Sequence, residues 1–170
     1  LPLLVLSGFV TLLSIIYSWN HWEEPRNPKA FLALMLLLLT GMNGTFVALD
    51  LVLFFIFFEV VLLPMYFMIG IWGDKSQREL PVFGKTVSVR LYASLKFFLF
   101  TLFGSAFMLL GFLALYFNSS ETLAGRTFDI PTLIERAPQL TLLPVAGWIF
   151  AGLFLGFAVK VPMFPFHTWL

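Results

Sequence analysis

Long apolar runs separated by short polar stretches dominate this chain of 170 residues. Five runs approach the roughly 20 residues that a hydrocarbon core of about 30 Å demands. They predict membrane helices over residues 3–19, 30–48, 51–72, 93–117 and 144–161, the last one broken and continuing past 170. Trp19 and Trp22 close the first run, where indoles favour the membrane interface. Asp50 stands where it caps the start of the third helix. Small residues recur where helices approach closely: Gly104, Ser105 and Gly111 in the fourth run, Gly152 and Gly156 in the fifth. In the long fourth connection, Asp129-Ile130-Pro131 followed by Leu133, Ile134 and Ala137 predicts a short surface helix capped at its start.

Composition moves the reading from helices to a membrane protein. Apolar residues make up 60% of the chain and charged ones 11%, against about a quarter charged in soluble domains. The fold class is therefore all-α and integral to the membrane, a polytopic transmembrane helix bundle forming a single membrane domain over residues 1–170. The first run has no basic residue before Arg26 and is too long for the apolar part of a signal peptide, so it reads as an ordinary spanning helix. The chain lacks an initiator Met and stops inside a broken helix, which suggests a fragment of a longer protein. With no cysteine, disulfides, iron–sulfur clusters and thiolate chemistry are excluded within these residues. A net charge of +1 gives no pointer to nucleic acid; the expected surroundings are a lipid bilayer and other membrane subunits.

Basic residues set the expected orientation. The first and third connections carry two and four Lys or Arg, the second and fourth zero and two. By the positive-inside rule the first and third face the cytoplasm or its equivalent, and the chain start lies outside. A bacterial plasma membrane or an equivalent energy-transducing membrane is the expected location.

Assigning the connections removes eight of the ten basic residues and eight of the nine acids. Glu59, Lys96, Lys160 and His167 stay inside. Ionisable groups within a membrane are costly, by roughly 2.5 to 3.5 kcal/mol for a central lysine on insertion scales, and so mark functional sites by default. Glu59 is near the middle of its span, with Pro64 freeing the carbonyl of Val60 beside it. A carboxyl there either holds a cationic partner or becomes neutral, and both states suit proton handling. Lys160 precedes Pro162 and Pro165, which deprive the carbonyls of Ala158 and Val161 of their helical donors and break the helix. Broken helices at membrane depth persist only where protein or a wet cavity satisfies the freed backbone, and they often handle ions. The negative end of the helix dipole also favours a cation at Lys160. Lys96 is about 9 Å of helix rise from Arg90, within range of snorkelling. Histidine is the side chain suited to relaying protons near neutral pH, and His167 is the candidate here.

Other chemistries find no residues to carry them. Haem between helices needs a pair of intramembrane histidines, and only His167 lies in a span. No phosphate loop, metal-ligand cluster or nucleophile arrangement is present. The residues indicate movement of protons or cations through a helical bundle.

Three separated motifs carry a resemblance. They are Phe57-Phe58-Glu59-Val60-Val61-Leu62-Leu63-Pro64 continuing to Gly73, Leu95-Lys96-Phe97-Phe98-Leu99-Phe100-Thr101, and residues 157–170 with Lys160, the two prolines and His167. Together, in this order, they closely resemble the M-type antiporter-like subunit (chain 4 in organelles) of proton-translocating NADH:quinone oxidoreductase, complex I. The resemblance implies a fragment of a 14-helix fold with inverted five-helix repeats and a discontinuous helix near Lys160. It implies a proton relay in which Glu59 pairs with the broken-helix Lys160, with Lys96 and His167 as further carriers. It further implies an enzyme subunit without a redox centre or metal of its own. NADH, flavin, iron–sulfur clusters and quinone would belong to other subunits, and neighbouring antiporter-like subunits would be its partners. The connection carrying residues 80–89 is longer than the family pattern. Two rival readings stay open: a subunit of a multisubunit cation/proton antiporter, which shares these ionisable residues, and a structural scaffold.

Overall fold

The computed structural model describes residues 1–19, 27–73, 79–82, 85–120, 122, 125–140 and 144–170. The interfacial Trp22 and the basic residues Arg26, Lys75 and Arg78 lie outside them. In chain order the elements are α1 (Pro2–Ser18), α2 (Pro28–Val47), α3 (Leu51–Val60), α4 (Leu62–Trp72), β1 (Glu79–Val82), β2 (Lys85–Ser88), α5 (Val89–Asn118), α6 (Ile130–Glu135), α7 (Ala137–Leu140), α8 (Ala146–Lys160) and a 3₁₀ turn (Phe166–Trp169). The helices over Pro28–Val47, Leu51–Trp72 and Val89–Asn118 are long and apolar enough to cross a membrane, by length and composition. α1 and α8 are shorter apolar helices of 17 and 15 residues.

Two features differ from the pattern read along the chain. α5 starts at Val89, because Val89, Leu91 and Tyr92 extend its helical phase ahead of the apolar span. The connection before it contains an antiparallel hairpin, with Glu79 opposite Ser88 and Leu80 opposite Val87. Thr86 and Val87 are β-branched in a short alternating stretch, which suits a pleated ribbon better than an open loop.

The chain forms two compact units, Leu1–Val47 with Phe57–Phe98, and Ala48–Ile56 with Leu99–Leu170. In the first, the Ser7 hydroxyl on α1 donates to Asn43 Oδ1 on α2 at 2.6 Å. Elsewhere the hydroxyls of the apolar helices turn back on their own carbonyls, as in Thr11 to Ser7 at 2.8 Å and Thr45 to Gly41 at 2.9 Å. Such bonds let polar side chains sit in apolar surroundings without orphaned donors. α2 then packs its glycines against the chain around Glu59. A Cβ on Gly41 would lie 2.8 Å from Cγ2 of Val61, and one on Gly44 would fall on the ring of Phe57. α4 runs antiparallel to the start of α5, with the Tyr66 and Phe98 rings 5.5 Å apart and Gly70 against Ser94.

In the second unit the glycine seam lies between α5 and α8. A Cβ on Gly104 would sit 2.6 Å from Val159, one on Gly111 2.9 Å from Leu153, and one on Gly152 2.9 Å from the Phe107 carbonyl. Those small residues bring two backbones close, as their spacing in the sequence predicts. Phe54 packs edge-on against Phe112 and Phe157, with centroids 6.0 and 6.3 Å away. The segment before α6 pairs with the start of α3 in an isolated bridge: Leu51 N–H donates to Phe128 O at 3.0 Å and Ile130 N–H to Leu49 O at 2.8 Å. Both helices that leave this bridge are capped by aspartates. Asp50 accepts from the amides of Val52 and Leu53, and Asp129 accepts from the Thr132 amide and hydroxyl at 2.9 and 2.6 Å.

Candidate functional site

The helix bearing Glu59 is interrupted where its sequence requires. Pro64 has no N–H for the carbonyl of Val60, and the next bond, Met65 N–H to Val61 O, is stretched to 3.5 Å. The helix is interrupted at Val61, one turn before the buried Pro64. Phe57 and Val61, which meet the α2 glycines, are one turn apart, so Glu59 between them points to another face. It shares that face with Leu62, which is 2% exposed, and with Tyr66, which packs on Phe98 of α5. Oε1 of Glu59 is buried.

Lys96 lies on α5 in the same unit, half-buried. The pairings of Tyr66 with Phe98 and Gly70 with Ser94 set the antiparallel register and put Lys96 level with Met68. The backbones of Glu59 and Lys96 are thus offset by about 13 Å along the helix axis, nine residues at 1.5 Å each.

Lys160 and His167 belong to the second unit. Lys160 is the last residue of α8 and follows Val159, whose side chain lies against Gly104 of α5. Past it the chain leaves the helix. Val161 N–H donates to Phe157 O at 2.8 Å, and Met163 N–H to Ala158 O at 2.9 Å. The carbonyl that Pro162 was expected to leave without a donor is therefore satisfied by the following residue, because the chain turns tightly enough for Met163 to reach back. Val159 O accepts from the indole Nε1 of Trp169 at 2.8 Å. The Phe164–Pro165 peptide is cis. His167 lies in the 3₁₀ turn, exposed, with its ring stacked 5.6 Å from that of Phe164.

Trp169 is the contributor that residue-type reasoning missed. Its signal was present: two prolines in quick succession release helix carbonyls, freed carbonyls need donors, and a buried indole N–H needs an acceptor. Among the described residues no cluster of three or more His, Asp or Glu is arranged to hold a metal.

Outside the spans, Asp129 has a pKa below the ordinary carboxylate value of 3.8, chiefly because the Thr132 hydroxyl and then the Thr132 amide donate to its charged form. Arg136, at the end of α6, donates from one guanidinium nitrogen to Ser119 O at 3.0 Å and Gly125 O at 2.7 Å. These bonds tie the end of α6 to Ser119 and Gly125.

Residues 48–170 match the model of the family described as NADH:quinone oxidoreductase/Mrp antiporter, transmembrane. Over its whole length the chain is 41% identical to NAD(P)H-quinone oxidoreductase chain 4 of Gloeobacter violaceus, covering 28% of that protein. It is also 40% identical to NADH-quinone oxidoreductase subunit M of Pseudomonas aeruginosa, covering 31%. Against F(420)H(2) dehydrogenase subunit M of Methanosarcina mazei, 35% of residues are identical and 31% of the relative is covered. The chain spans less than a third of the length of these curated relatives. The matched family and the motif-bearing helices agree: this chain belongs to the NADH:quinone oxidoreductase/Mrp antiporter transmembrane family.

Proposed function

We propose that the chain is part of a proton-translocating, antiporter-like membrane subunit of an NADH:quinone oxidoreductase, and that Glu59, Lys96, Lys160 and His167 carry protons within it. The observation that carries this reading is the buried carboxyl oxygen of Glu59, set in a 22-residue apolar helix beside a proline interruption. Removing a carboxyl from water raises the cost of its charge, so its proton occupancy follows the position of a nearby cation. A carboxyl–ammonium system of that kind stores and releases a proton as the charges separate.

Glu59 and Lys160, in this reading, each hold and release a proton of the relay. In this reading redox chemistry is assigned to other subunits, which bind NADH, flavin, iron–sulfur clusters and quinone, and neighbouring antiporter-like subunits are its partners. The basic first and third connections face the cytoplasm or its equivalent, which puts the chain start outside. The relatives' names support the oxidoreductase context while differing in electron donor. Donor choice therefore lies with other subunits.

A second reading, a subunit of a multisubunit cation/proton antiporter, is favoured by the family description itself, which joins both activities. One experiment separates them. In membrane vesicles bearing the full-length subunit in its complex, NADH-driven proton uptake is compared between wild type and Lys160→Ala. The proposal expects assembly to persist and protons per electron to fall by tenfold or more. An unchanged proton-to-electron ratio would falsify the relay, and sodium-dependent proton exchange without NADH supports the antiporter.

A further inference from the structure

We propose that Trp169 is a positioning residue for Lys160 and His167, acting through its indole N–H on the carbonyl of Val159. This rests on the reading of Lys160 as a proton carrier. The last carbonyls of any helix lack intrahelical donors, and Pro162 removes one more. Phe157 O and Ala158 O accept from the Val161 and Met163 amides. In a continuing helix Val159 O would take the Met163 N–H, but that donor is already committed to Ala158 O. The indole of Trp169 takes its place at 2.8 Å. Val159 is 3% exposed, so water is poorly placed to substitute.

The geometry links this bond to function in two ways. The Val159 carbonyl and the Lys160 amide belong to one peptide plane, which is rigid. Fixing that carbonyl therefore fixes the plane from which Lys160 departs. Trp169 also closes the 3₁₀ turn that carries His167, and that turn is held by Phe166 N–H on Met163 O at 2.6 Å and Leu170 N–H on His167 O at 3.0 Å. One side-chain bond thus ties the end of α8, with Lys160, to the turn with His167. The packing of the indole supplies stability; its N–H supplies the position of the two carriers.

The test separates ring from N–H. β-(3-Benzothienyl)alanine, which keeps the bicyclic shape and replaces N–H by sulfur, is incorporated genetically at position 169 of the full-length subunit in its membrane complex. 5-Fluorotryptophan, which retains the N–H, serves as the control. Protons pumped per electron are measured in NADH-energised vesicles, and the Val159 carbonyl is followed by isotope-edited infrared spectroscopy. The proposal expects normal assembly, a shift of the Val159 band to higher frequency and about a fivefold loss of proton yield, the factor of one net hydrogen bond. It also expects rescue by 5-fluorotryptophan. A benzothienyl protein that pumps normally while Lys160→Ala does not overturns the proposal and leaves the relay standing. Normal pumping by Lys160→Ala overturns both. Failure of the benzothienyl protein to assemble, with 5-fluorotryptophan assembling, also overturns it, since the N–H would then serve folding.

Discussion

Gly41 on α2 faces Val61, two residues past Glu59, so closely that a Cβ at position 41 would lie 2.8 Å from Val61 Cγ2. The absence of a side chain lets α2 lie against the helix break beside the buried carboxyl. Gly8, by contrast, has nothing within 4 Å of a Cβ. Gly41→Val should destabilise by about 1–3 kcal/mol through overpacking. Gly8→Ala should be neutral or stabilising, since alanine is the better helix former by about 1 kcal/mol. Thermal unfolding of the detergent-solubilised full-length subunit compares them. Equal effects at the two positions contradict the packing account.

If Glu59 and Lys160 serve one relay, their losses do not add. Glu59→Gln and Lys160→Ala should each lower protons per electron about tenfold, and the double variant should be no worse than the poorer single one. A hundredfold loss in the double variant means two independent paths.

Asp129 gives the sequence a pH-dependent element outside the spans. Its folded pKa is below the ordinary carboxylate value because the Thr132 hydroxyl and amide donate to the charged form. A depressed carboxylate contributes stability above its unfolded value of about 3.8 and loses it as pH falls through the folded one. Protection of the α6 amides, the intrinsic exchange rate relative to the observed rate at the same pH, should thus fall on acidification below about pH 4. Asp129→Ala should exchange faster than wild type at pH 6, and the two should converge at the acid end. Parallel profiles at every pH exclude the ionised cap.

Arg136 joins two carbonyls on either side of a loop. Arg136→Gln should free Ser119 and Gly125 from the end of α6 at a cost of about 1.5–3 kcal/mol, the range for hydrogen bonds to a charged group. Limited proteolysis between residues 119 and 128 reads the change. Wild-type resistance in the variant means the loop is held by its other contacts.

The membrane class and the apolar helices were legible in the sequence because hydrocarbon enforces simple rules. Long apolar runs form helices, and a charge within one stands out against its neighbours. The aspartate caps and the glycine seam were legible for the same reason: each depends on a few residues at fixed spacing. Bonds joining distant parts of the chain were not. The Asp50–Asp129 bridge pairs segments nearly eighty residues apart, and no local pattern encodes which backbone meets which. The hairpin before α5 was hidden by its polar, mixed composition. Pro162 announced that α8 would break, yet the sequence did not say which groups would satisfy the freed carbonyls. That was decided by a tight turn, which brought Met163 back to Ala158 and carried the indole of Trp169 to Val159. Composition and periodicity determine which groups enter the membrane; only the folded backbone decides which donor meets each exposed acceptor, because that match depends on angstrom-scale positions set by every element packed around it.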